Sequence, residues 1–285
     1  MWKTDVEDTC FLRNDGKLRS MMSTSLSAKS FENFPRMSAC AGFLSLALAA
    51  ASGVTCAAEC KGTIYLTLDT GHMGPAEEIA SVLNKHDIKA TFFLANEKTQ
   101  RGDTSLDPSW SAFWKARVAE GHAFGSHTWR HWYFRRDAGD KVSYMASGAK
   151  TGEMLDQPGV CSEIKKSEEA FKAMTGRGFD GIWRAPGGKL TPNVTRYAEA
   201  CGFRHVPWGK AGFSGDELPS EQYPSAQLIK TQIDSIKDGD ILLWHLGIWS
   251  RKDPLYPHLD ELIAGLKAKG LCFSRLTASS ASLRK

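Results

Sequence analysis

From Gly62 almost to the end of the chain, short β-branched or aromatic runs alternate with helix-period segments, and this constrains the fold more than any other feature. Gly62–Leu68 (GTIYLTL) reads as a strand, and so do Thr91–Leu94, His122–Gly125, Ile182–Trp183, His205–Trp208, Asp240–Trp244 and Leu271–Leu276. Between them apolar residues recur at helical spacing over Pro75–His86, Trp110–Glu120, Cys161–Thr175, Pro192–Ala200, Ser225–Lys237 and His258–Lys269. Strands that alternate with helices build βα units on a largely parallel sheet, an α/β fold. Residues 134–160 are polar, contain glycines and show no period, so they read as a long loop. No repeat or low-complexity linker interrupts the pattern, and residues 59–285 are expected to form one domain.

Residues 1–58 carry an address instead of a fold. Ala39–Ala51 is uncharged, is preceded by Lys29 and Arg36, and is followed by small residues ending at Ala58. That order is the signature of a secretory signal peptide cut after Ala58, and it predicts a periplasmic or extracellular protein with no stable membrane span. The uncharged stretch Met37–Ala58 is also long enough for an uncleaved anchor, and Met21 or Met22 is an alternative start. Beyond Ala58 four cysteines remain, Cys60, Cys161, Cys201 and Cys272, with no Cys-x-x-Cys pair; an oxidising compartment then favours disulfides over a zinc knuckle. A formal net charge of +4 gives little long-range attraction for nucleic acid. Nine tryptophans is a high number; most read as core or rim packing, and flat rings also commonly line sugar-binding grooves.

If the sheet closes into a barrel, catalytic groups gather at the carboxyl ends of its strands. Asp69 ends the first strand, His127 follows Gly125, Arg184 follows Trp183 and His245 follows Trp244. His127 and His131 are four residues apart, neighbours on one face if the segment is helical, and such a pair can seat two ligands on one divalent ion. The same spacing also occurs in ordinary surface histidines. Asp69 serves equally well as a turn cap. Arg184-Ala-Pro-Gly-Gly188 reads as a surface turn, or as an arginine fixing a carboxylate beside exposed backbone N–H groups. His245 closes an apolar strand, as a hydrogen-bonded core histidine or as a catalyst.

Taken in order, Thr67-Leu-Asp-Thr-Gly71, Glu120-Gly-His-Ala-Phe-Gly-Ser-His-Thr-Trp-Arg-His131, Arg184-Ala-Pro-Gly-Gly188 and Leu243-Trp-His245 resemble the motifs of the polysaccharide deacetylase family, also called the NodB-homology family or carbohydrate esterase family 4. The resemblance spans residues 62–276 and includes Thr91–Leu94 as the second strand. It implies a distorted (β/α) barrel of about seven parallel strands, and a monomer that hydrolyses the N-acetyl group of an amino-sugar polymer such as peptidoglycan, a chitin-like chain or poly-N-acetylglucosamine. It further implies a divalent metal on His127 and His131, zinc first, with cobalt or nickel as alternatives. Asp69 would be the general base, oriented and held ionised by Arg184, and His245 the general acid. The Gly187 N–H would face the oxyanion, and Leu243 and Trp208 the acetyl methyl. An O-acetyl esterase and a carbohydrate-binding protein with a degenerate metal site are the competing readings.

Two departures accompany the resemblance. Where the family usually carries a second, metal-binding aspartate, this chain has Thr70, so Asp69, His72 or water must fill the third position, and Thr70→Asp is expected to tighten the metal. The aspartate that tunes the catalytic histidine is matched by Asp216 only after a shift of register. In the implied barrel the first and last strands are neighbours and successive helices lie side by side, which pairs Cys60 with Cys272 and Cys161 with Cys201.

Overall fold

Every residue of β1 (Gly62–Asp69) after the first two is buried, which is why its sequence runs almost unbroken in apolar and threonine residues. The computed structural model describes residues 59–281; the export segment expected over 1–58 lies outside them. After β1 come α1 (Ala76–Lys85), β2 (Thr91–Leu94), α2 (Ser111–Ala119) and β3 (Ala123–Ser126). An antiparallel insertion follows, made of β4 (Tyr133–Ala138), β5 (Lys141–Met145) and β6 (Glu153–Leu155). The alternation then resumes with α3 (Gln157–Thr175), β7 (Ile182–Trp183), α4 (Pro192–Ala200), β8 (Arg204–His205), α5 (Ser225–Ser235), β9 (Ile241–His245), α6 (Leu259–Ala268), β10 (Leu271–Phe273) and a final turn, α7 (Ala278–Ala281).

Seven strands form the parallel sheet in the order β10-β1-β2-β3-β7-β8, with β9 also on β1. β1 divides its pairing: Gly62–Ile64 pairs with β10 and Tyr65–Asp69 with β9. On the far side of β9 only an isolated bridge, Phe213 to Leu243, stands where a ladder to β8 would complete the circle, and this makes the barrel a distorted one. Inside it, Tyr65, Phe93, Ile182, Val206, Ile241 and Leu276 fill the lumen. Outside, Leu66, Phe92, Leu242 and Trp244 pack beneath helix residues such as Leu83, Trp114, Phe171 and Leu262. No helix among the described residues is long and apolar enough to cross a membrane.

The stretch expected as a loop, residues 134–160, is instead the β4–β6 sheet followed by the first turn of α3. Its strands are short, and the inward residues Phe134, Val142 and Tyr144 alternate with mostly exposed polar ones, so little period shows. α3 starts at Gln157, four residues earlier than the apolar spacing suggests. Asp156 accepts the Gly159 N–H as its cap, and Pro158 suits the first turn.

Both expected disulfides are present, Cys60–Cys272 and Cys161–Cys201, with Cα atoms 5.6 and 5.8 Å apart. The second closes a loop between residues 40 apart. Its loss is expected to cost about 4 kcal/mol, the loop-closure entropy returned to the unfolded chain. The urea midpoint of a Cys161→Ser/Cys201→Ser variant checks this, and a midpoint equal to that of the oxidised protein would refute it.

Candidate active site at the carboxyl ends of the strands

Parallel pairing carries each strand's polar last residue, or the residue after it, to the same rim. Asp69 and His245 are partners in the β1–β9 register, and Thr67 and Leu243 form the pair one layer below. Because side chains alternate along a strand, Thr67, Asp69, Leu243 and His245 face the lumen while Leu242 and Trp244 join the outer layer. Arg184, directly after β7, reaches under this rim. Its Nη1 donates to Asp69 Oδ1 and to Thr67 Oγ1, each at 2.8 Å, and its Nε donates to the Val206 carbonyl. Arg184 and Asp69 are both buried, and the guanidinium lies 4.2 Å over the Phe93 ring.

The second oxygen of Asp69 lies 3.3 Å from His127 Nε2. His127 Nδ1–H donates to the Arg184 carbonyl, which fixes the tautomer and leaves Nε2 as a lone pair. His131 Nε2 is 3.1 Å from that atom. Burial, and then the neighbouring His131, push the His127 pKa well below its ordinary value and keep the ring neutral. Burial works against charge on His131 too, but Glu97 beside it outweighs burial and raises its pKa.

His127-Thr-Trp-Arg-His131 is not helical. It is a turn with Thr128 and His131 at φ 63° and 55°, a left-handed conformation that costs roughly 1–2 kcal/mol per residue and must be held from outside. Glu163 of α3 holds it, accepting from the backbone N–H and Nε of Arg130 and from the Tyr144 hydroxyl. The Tyr144 oxygen in turn receives the Trp132 N–H and lies 3.2 Å from Thr128 Oγ1. The β4–β6 insertion therefore props the histidine turn.

His245 Nδ1 is 3.0 Å from Asp216 Oδ1, and the His245 backbone N–H donates to Asp216 Oδ2 at 2.9 Å. The shifted-register assignment of Asp216 thus meets its histidine. Burial disfavours the charged ring, but the Asp216 carboxylate overcomes it, with Asp69 and Glu217 adding to the effect, and the His245 pKa rises to about 10. A cavity of about 410 Å³ opens beside His245 and Asp216 and is lined further by His72, Gln100 and Arg251. The histidine pair does not line it.

The remaining expected residues divide. Gly187 has φ 59°, a conformation that favours glycine, and its N–H has no hydrogen-bond partner among the described residues. Trp208 packs its ring against Gly188 and lies 5.5 Å from the Arg184 guanidinium, on the Gly187 side of the site. Two further positions are engaged elsewhere. The His72 ring packs against Trp249 and over Gly247 and accepts the Gly74 N–H, so it does not join the pair. Thr70 does not wait for an ion: its hydroxyl donates to Glu97 Oε2 at 2.7 Å and accepts the Ala95 N–H. Glu97, whose Oε1 is 3.1 Å from His131 Nδ1, was missed in the sequence. It lies three residues beyond β2, so extending the strand-end rule into the following loop would have found it.

Two zinc–nitrogen bonds on one ion place their nitrogens roughly 3–3.4 Å apart. The two Nε2 atoms stand at 3.1 Å with both Nδ1 atoms tied to acceptors, so a cation between them suits the donor set. Among the described residues no group of three or more His, Cys, Asp or Glu is placed to hold an ion; Asp69 stands beside the two histidines.

Comparison with known proteins identifies the family. The family profile described as polysaccharide deacetylase matches residues 57–206, and the chain belongs to that family. It is 27% identical over 188 residues to the chitooligosaccharide deacetylase of Azorhizobium caulinodans, covering 66% of this chain and 75% of that one. Solved structures share the fold. A family 4 acetyl xylan esterase from Clostridium thermocellum in complex with a cobalt ion has a TM-score of 0.59 at 20% identity, covering 78% and 91% of the two chains. A family 4 pseudoenzyme from Bacillus anthracis has a TM-score of 0.57 at 20% identity, covering 76% and 64%.

The Asp216–His245 pair generates a prediction. A group whose folded pKa is raised contributes stability that is full below its unfolded value and is lost as pH climbs through the folded one. His245 should therefore stabilise the protein below pH 6.5 and release that stability towards pH 10. In Asp216→Asn the largest raising influence is gone while burial remains, and the ring should titrate well below its wild-type value. NMR titration of the His245 ring checks this; equal pKa values in the two proteins would remove Asp216 as the cause.

Proposed function

We propose that this protein is an exported, metal-dependent carbohydrate deacetylase that removes the N-acetyl group from an amino-sugar polymer, with residues 59–285 acting as a monomeric catalytic domain. One observation carries the reading: Asp69 and His245 are register partners that end paired strands at the same rim. A divalent ion on His127 and His131, zinc or a similar metal, would polarise the acetyl carbonyl and acidify a water. Arg184 grips Asp69 Oδ1 and turns Oδ2 towards His127, where it can take a proton from the attacking water. The partnerless Gly187 N–H is available to the carbonyl oxygen as it gains charge. His245 has its Nδ1 committed to Asp216, so its Nε2–H is the proton to give. The amide C–N bond breaks, that proton goes to nitrogen, and acetate and a free amine result.

The charged His245 favours N- over O-deacetylation, because an amide nitrogen leaves only once protonated. Trp249, 62% exposed and edge-on to His72 at the cavity, offers a flat face to a sugar ring. Acetate release from N-acetylglucosamine oligomers and from acetylated xylan, with and without a chelator, is the test. The expected result is acetate from the N-acetyl oligomers that stops on chelation and returns with zinc or cobalt. His127→Ala and His131→Ala should each lose bound metal and nearly all turnover while staying folded. Acetate from xylan alone would make it an esterase, and acetate from neither would leave a binding protein. For export, the prediction is that the mature protein begins at Glu59; N-terminal sequencing of secreted material that shows residues before it would refute the cut.

A further inference from the structure

The carboxylate missing at position 70 has a counterpart elsewhere in the site. Glu97 arises from the loop after β2 and spans two partners: Oε2 takes the Thr70 hydroxyl at 2.7 Å and Oε1 faces His131 Nδ1 at 3.1 Å. Its place is fixed by the backbone. The Glu97 N–H donates to Ser105 Oγ, the Glu97 carbonyl accepts the Ser105 N–H, and the preceding residue, Asn96, donates its N–H to the Trp129 carbonyl inside the histidine turn. The side chain is only 20% exposed. A half-buried carboxylate so anchored is not a freely solvated surface charge, and its partners are the residue at the position of the missing ligand and a residue of the metal pair.

We propose that Glu97 is a positioning residue that supplies, from the outer sphere, the negative charge Thr70 no longer gives from the inner one. The inference rests on the reading of His127 and His131 as the metal pair. Glu97 accepts the Nδ1 proton of His131, so the Nε2 lone pair points at the Nε2 of His127. A carboxylate behind a ligating imidazole raises its basicity and fixes its ring, and losing such a partner typically weakens metal binding by about 10- to 100-fold. Thr70 completes the device, because its hydroxyl holds the second oxygen of Glu97 and thereby sets the carboxylate plane.

The proposal reverses the simplest expectation for position 70. An aspartate there would bring a carboxylate against Glu97, where Thr70 Oγ1 and Glu97 Oε2 are now 2.7 Å apart, and two like charges at that range repel. Thr70→Asp alone should therefore not tighten the metal. It should do so only when Glu97 is neutral.

Zinc affinity of the purified protein by titration calorimetry, with the d–d spectrum of the cobalt form as an independent readout, tests this in four proteins: wild type, Glu97→Gln, Thr70→Asp and the double variant. The expected result is a loss of about 10- to 100-fold in Glu97→Gln, no gain in Thr70→Asp, and recovery in the double variant to within a few-fold of wild type. Glu97→Asp, which keeps the charge on a shorter stem, should fall between wild type and Glu97→Gln. Wild-type affinity in Glu97→Gln, or additive effects in the double variant, overturns the proposal while leaving the metal reading intact. A wild-type protein that binds neither zinc nor cobalt overturns the metal reading and this proposal together. Circular dichroism of each variant excludes unfolding as the cause, and an unfolded Glu97→Gln is replaced by the Glu97→Asp comparison.

Discussion

The Arg184–Asp69 ion pair sits where water cannot reach it, and much of the site is arranged around that fact. Desolvating two charges costs several kcal/mol per ion after relaxation, and only good geometry with further hydrogen bonds offsets it. Here the offset comes from Thr67, the Val206 carbonyl and the face of Phe93, so strands β1, β2 and β7 and the segment after β8 all meet at one guanidinium. The carbonyl of the same arginine holds His127 Nδ1. One residue thus holds Asp69 through its side chain and His127 through its main chain, and removing its charge would strand Asp69 in an apolar lumen.

Around that centre the protein uses carboxylates in graded positions. Asp69 stands beside the histidine pair, Glu97 stands behind His131, Glu163 braces the backbone of the turn, and Asp216 stands behind His245. Each of these imidazoles has its Nδ1 beside a fixed acceptor. The strained backbone at Thr128 and His131 is the other half of this economy. A helix would have spaced the rings at i and i+4 without cost, whereas the turn brings both Nε2 atoms inward, with Tyr144 and Glu163 stabilising it.

Most of the seven strands were legible because they are buried on both faces and read as apolar blocks, and the rim residues were legible because they are the polar punctuation that ends those blocks. Arg184, Asp69, His127 and His245 all come from that rule. The β4–β6 insertion was not, since its strands are short, mostly wet and antiparallel, and only Phe134, Val142 and Tyr144 point inward. Glu97 escaped for a different reason. It lies in a loop held by Ser105 and Asn96 contacts that no periodicity reports, and its meaning depends on Thr70 and His131, which are remote in sequence. Thr70 drew attention to a missing charge, but only three-dimensional packing could say where a replacement stood.

The Cys60–Cys272 bond joins residues 212 apart, and the β1–β10 ladder that it fastens exists only when the end of the chain is present. During synthesis the first strand is therefore made long before its last partner. Until β10 arrives, the backbone of Gly62–Ile64 presents an open edge, the kind of surface on which one chain templates another. Closing the seam also locks in the order of manufacture: a chain that stops short of Leu271 keeps most of the rim but has no partner for Cys60. For this architecture the vulnerable period is birth rather than working life, and whatever escorts the nascent chain must keep that one strand edge, and one thiol, unpaired until the end.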